Sequence, residues 1–121
     1  MPTKVTNRRA DRRNPIPEFL TGEIEFVTKD GSTHNYPLIE LSVSGGSFNL
    51  PERVPALKAG TMIDGGVIRV GELEIRAHVE VLHTTRGEGS IYICGVRLYP
   101  MTDDDRNELA GLISRFDSLP S

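Results

Sequence analysis

The chain has 121 residues, 37% of them apolar, with no tryptophan, a single cysteine and a formal net charge of −3. This length favours one domain with a modest core. The composition excludes an intrachain disulfide and a cysteine-rich metal site, and no apolar run approaches the ~20 residues that cross a bilayer as a helix.

Residues 1–19 are predicted to be an irregular, flexible arm, because Pro2, Pro15 and Pro17 oppose regular pairing and Asn14 precedes a proline. The start, "MPTKVTNRRADRRNP", has no hydrophobic signal segment, so a cytoplasmic location is expected. A folded unit is expected over 20–117. In "LTGEIEFVTK", Leu20, Ile24 and Phe26 share one face and Glu23 and Glu25 the other, which predicts a strand. "KDGS" (29–32) is a turn signal. "NYPLIELSV" follows as a strand, with Ile39, Leu41 and Val43 expected on one face and Glu40 and Ser42 on the other. "SGG" (44–46) marks a bend or bulge, and "SFNL" resumes as a strand.

Residues 51–66 read as a Pro- and Gly-rich connection, followed by a strand over 66–70 and a tight turn at "GE". "ELEIRAHVEVLHT" alternates most clearly: Ile75, Ala77, Val79 and Val81 point one way, and Glu74, Arg76, His78 and Glu80 the other. "RGEG" (86–89) is a turn, and 90–99 is a further strand carrying Cys94, read as a buried inert thiol. About six strands with turn punctuation indicate an antiparallel barrel or sandwich. The period then changes: Leu109, Leu112, Ile113 and Phe116 form an apolar stripe on a helix over 102–117. Thr102 is its expected N-cap, and Asp103 to Asp105 complement its dipole.

Catalytic chemistry finds no support in the motifs. On a straight strand His78 and His83, five apart, face opposite sides, so no metal spacing arises. Consecutive aspartates on a helix spread about 100° apart. Ser42 and Ser44 have no histidine base nearby in sequence. The chain is therefore read as a binding protein, not an enzyme, with no metal and no cofactor.

Charge is uneven. Residues 1–13 carry Lys4, Arg8, Arg9, Arg12 and Arg13 against Asp11, a net of +4; the rest has nine basic and sixteen acidic residues, a net of −7. A nucleic-acid polymer needs basic charge across a folded face and stacking platforms. Here the charge sits in one short arm, and the chain has three tyrosines and four phenylalanines. That pattern suits a small anion. Arginine clamps phosphate oxygens bidentately, pairs with the O6/N7 edge of guanine and stacks on bases. Glu40 could accept from guanine N1–H and N2–H, and the glycines after Ser42 could let backbone approach a ligand.

Together, the arginine arm and "ELSVSGG" resemble the PilZ family, bacterial receptors for cyclic di-GMP, whose pattern is RxxxR in an N-terminal arm followed by [D/N]xSxxG on a barrel strand. "RADRR" supplies Arg9 and Arg13, with Arg8 just before them; "RRADR" offers Arg8 and Arg12 as a second register. "ELSVSG" supplies Glu40, Ser42 and Gly45, followed by Gly46, with 26 residues between Arg13 and Glu40. Glu40 stands where the family usually has Asp or Asn; it keeps the acceptor and adds a methylene. The resemblance implies a six-stranded antiparallel split β-barrel with a C-terminal α-helix and a flexible arm. It further implies cyclic di-GMP held by Arg8, Arg9, Arg13, Glu40, Ser42, Gly45 and Gly46, as one nucleotide or a stacked pair. Output would pass to a separate effector protein. The alternative is a ligand-independent interaction adaptor. Neither reading involves a membrane.

Overall fold

The computed structural model describes residues 14–18 and 20–118. Within these residues seven strands are formed: β1 (Asn14–Pro15), β2 (Gly22–Val27), β3 (Thr33–Leu41), β4 (Gly45–Leu50), β5 (Met62–Val70), β6 (Leu73–Arg86) and β7 (Tyr92–Pro100). One helix, α1 (Asp103–Ser118), follows them. All pairings are antiparallel. Around the ring the order is β3–β2–β5–β6–β7–β4, and β4 returns to β3, so six strands close a barrel without a free edge. β1 lies outside the ring, beside the far end of β3.

Alternation drives closure. Ile24 and Phe26 on β2, Ile75, Ala77, Val79 and Val81 on β6, and Cys94, Val96 and Leu98 on β7 are all buried. Outward residues between them are polar. Arg69 on β5, for example, bonds Glu23, Glu25 and Glu74 on the outer face of β2–β5–β6 at 3.2, 2.7 and 2.9 Å. The Cys94 thiol is fully buried, and desolvation pushes its pKa up to about 11, which keeps it protonated and unreactive.

The connection after β4 does more than link strands. It sends Leu57 into the core at 3% exposure, and it is tied to β6 by Gly60 N–H to Val81 O (2.7 Å) and Val81 N–H to Thr61 O (2.9 Å). α1 lies against β6, β7 and β1, with Leu109, Leu112, Ile113 and Phe116 buried as the sequence stripe predicts. Its start is fixed by Thr102, whose Oγ1 accepts from Asp105 N–H (3.1 Å) and donates to Asp105 Oδ2 (2.7 Å). Asp105 Oδ1 then accepts from Arg76 N–H on β6 (3.0 Å), so the cap also docks the helix onto the barrel.

Four expectations are corrected. β-structure begins at Asn14, ahead of the boundary at residue 20: Asn14 is buried and paired with Leu41, and Ile16 N–H donates to Ile39 O at 3.0 Å. Pro15 tolerates this pairing because β1 is an outer strand, where a missing N–H can face away from the ladder. β5 starts at Met62 instead of residue 66. The "DGG" that reads as a loop is a bulge, with the register slipping between Ile63 and Gly66 and Gly65 at φ 77°, a backbone that glycine adopts without strain. Val43 is 39% exposed and Ser42 is buried, the reverse of the predicted faces. The bulge at Ile39, between the Leu38–Phe48 and Glu40–Ser47 pairs, lets both Leu38 and Leu41 face inward, and the chain leaves β3 at Leu41, so that Ser42 turns into the β3–β4 hairpin and Val43 out of it. Finally, His78 and His83 share the outer face. Val81 pairs with the buried Val96, but His83 pairs with Gly95, so Leu82 is an extra residue that inverts the alternation.

Candidate ligand site

β3 reaches its end beside β1 on one side and β4 on the other, and this is where the "ELSVSGG" residues gather. Glu40 is half-buried and points outward, and its Oε1 accepts from Ser47 Oγ on β4 at 3.2 Å. One neutral hydrogen bond leaves a carboxylate with acceptor capacity to spare. Ser42 is 1% exposed, and its hydroxyl turns into the hairpin. It accepts from the N–H groups of Ser44 (3.3 Å) and Gly45 (3.0 Å) and donates to Gly45 O (3.2 Å), while Ser42 N–H bonds the same carbonyl at 2.7 Å. The serine therefore builds the β3–β4 turn. Ser42→Ala should lose about 1–3 kcal/mol of stability, since two turn amides lose their acceptor; an unchanged denaturant midpoint would refute this role.

The glycines have a similar structural cause. A Cβ on Gly45 would sit 2.3 Å from the carbonyl oxygen of Val96, and one on Gly46 would sit 2.8 Å from that of Glu40. The backbone they admit closely is that of β7 and β3. Gly45 is opposite Arg97, which β6 in turn places opposite Glu80; Arg97 is thus an exposed cationic residue on this outer face. Ser47, Arg97 and His83 are site neighbours that sequence reasoning missed. Alternation around Val96 and Leu98 could have shown that Arg97 points outward. That β7 lies next to β4 is a long-range pairing with no local signal. Among the described residues no group of acidic, histidine or cysteine side chains could hold a metal ion.

Arg8, Arg9 and Arg13 lie outside the described residues. What the structure does define is where their segment joins the barrel. Antiparallel pairing of Asn14 with Leu41 and Pro15 with Glu40 means that the chain reaches β1 from the Ser42 end of β3.

The family described as PilZ domain matches residues 7–115. The chain belongs to the PilZ domain family. No curated protein sequence matches it significantly. Among solved structures it is similar to the PilZ domain of YcgR from Escherichia coli with c-di-GMP, at 16% identity and a TM-score of 0.74, covering 91% of this chain and 92% of that one. It is also similar to the K. pneumonia MrkH–c-di-GMP complex (17% identity, TM-score 0.78, 91% of this chain and 52% of that one). A third similar structure is the Bacillus subtilis inhibitor of motility MotI/DgrA (11% identity, TM-score 0.70, 93% and 53%). This chain thus spans about half the length of MrkH and MotI. At these identities the likeness is one of fold, and this PilZ chain has the six-stranded barrel and C-terminal helix of that fold. No described helix is long and apolar enough to cross a membrane.

Proposed function

We propose that this PilZ domain is a receptor for cyclic di-GMP that acts by binding, without chemistry of its own. The observation that carries the reading is the register of β1. It joins a segment with four arginines in six positions to the barrel next to Glu40 and the Ser42–Gly45 turn. A cyclic dinucleotide has the complementary groups: two phosphates for guanidinium forks and guanine N–H donors for a carboxylate. Arg9 and Arg13 take the phosphate oxygens, with Arg8 beside them, and Glu40 takes a guanine edge. Ser42, Gly45 and Gly46 hold the turn against which the ligand lies. The c-di-GMP complexes of YcgR and MrkH support the choice of ligand by analogy of fold. Binding brings the arm's charges and the strand face together, and the changed surface is what a separate effector protein would read.

Calorimetric titration tests the proposal. Saturable binding of cyclic di-GMP, weakened by added salt, is the expected result; the absence of saturable binding would favour the ligand-independent adaptor. Glu40→Asp probes geometry at constant charge. It should bind at least as tightly as the native chain, because it restores the family's shorter carboxylate. A large loss of affinity would show that the site is built around glutamate and its bond to Ser47.

A further inference from the structure

The outer face next to Glu40 continues across two more strands. Glu40 pairs with Ser47, Ser47 with Gly95, and Gly95 with His83, so these four residues form one row over β3, β4, β7 and β6. At about 4.8 Å per strand the row spans roughly 14 Å. The imidazole of His83 occupies the place where a side chain on β7 would otherwise stand: a Cβ built on Gly95 would lie 2.6 Å from both Cε1 and Nε2 of that ring. Two features of the chain put it there, the extra residue at Leu82 that turns His83 outward and the glycine that leaves room for the ring. His83 is exposed.

Other described aromatic rings are committed elsewhere. Phe26, Phe48 and Phe116 are buried in the core, and Tyr36 and Tyr92 pack against it. Tyr99 is exposed, but its hydroxyl donates to Glu80 at 2.7 Å, and it pairs with His78 farther along β6.

We infer that His83 is a base-stacking platform at the end of this row, on which a guanine of the cyclic dinucleotide rests while Glu40 marks the other end. The inference rests on the cyclic di-GMP reading and adds to it a specificity-determining residue outside the sequence motifs. An exposed ring seated on bare backbone offers one π-face to a ligand, and stacking on such a face needs no hydrogen-bond match. Gly95 is the positioning residue, since any side chain there would displace the ring.

Titration of the native chain, His83→Ala, His83→Phe and Gly95→Ala with cyclic di-GMP tests this, together with the His83 ring-proton resonances of the native chain. His83→Ala should weaken binding about 5- to 150-fold, the range for loss of one stacked base. His83→Phe should restore it, and Gly95→Ala should resemble His83→Ala. The His83 Cε1–H and Cδ2–H signals should move upfield at saturation under the ring current of the purine. Native-like affinity of His83→Ala with unmoved resonances would overturn the stacking role and leave the receptor reading intact. No binding by the native chain would overturn both.

Discussion

Arg9→Ala and Arg13→Ala should each weaken cyclic di-GMP binding by about 10- to 150-fold, corresponding to the ~1.5–3 kcal/mol of a charge-assisted hydrogen bond. The barrel body carries a net charge of −7, and on its outer β2–β5–β6 face Glu23, Glu25 and Glu74 surround Arg69 and engage its charge. That body offers a doubly anionic ligand little attraction, so the arginine segment must supply most of it. Lysine at either position should also fail, because an ammonium lacks the planar fork that holds two phosphate oxygens. Calorimetry on these four variants, with Arg8→Ala and Arg12→Ala beside them, decides the matter. Native affinity in both alanine variants would end the clamp assignment, and losses at Arg8 and Arg12 instead would assign the second register.

Gly45→Ala should destabilise the fold, whereas Gly111→Ala should stabilise it. A methyl on Gly45 must clear the Val96 carbonyl, 2.3 Å away and held in the β4–β7 ladder, so the strands themselves have to move. Such overpacking costs about 3 kcal/mol, offset by up to about 1 kcal/mol from the stiffer unfolded chain. The net loss of about 2 kcal/mol lowers the melting temperature by about 8 °C for a domain of this size. Gly111 is exposed on α1, and a Cβ there meets nothing within 4 Å; alanine should add about 1 kcal/mol through helix propensity alone. Thermal unfolding of the two variants reads both signs. An unchanged melting temperature for Gly45→Ala would mean that β4 and β7 can part freely. It would also return the glycine to a role in ligand approach.

The elements themselves were legible in the sequence wherever local periodicity carries the information. Ile75 to Val81 and Leu109 to Phe116 display their periods of 2 and 3.6 without help, and Thr102 stands where a cap must stand. The arginine segment and "ELSVSGG", taken together in their order and spacing, resemble the family's motifs, and the family match over 7–115 agrees. The faces of the site were not legible. A bulge at Leu82 adds one residue to β6, and one residue inverts a period of two, which is why His83 turned outward; Ser42 turned inward because the chain leaves β3 at Leu41 and its hydroxyl closes the β3–β4 turn. Nothing local announces such a bulge, because it exists only relative to the partner strand. The same holds for the meeting of Glu40 with Ser47 and of Gly95 with His83. These contacts depend on which strands become neighbours when the barrel closes, and closure is set by burial of the whole core. The residue types of this site thus belong to the sequence, and their shared surface belongs to the barrel.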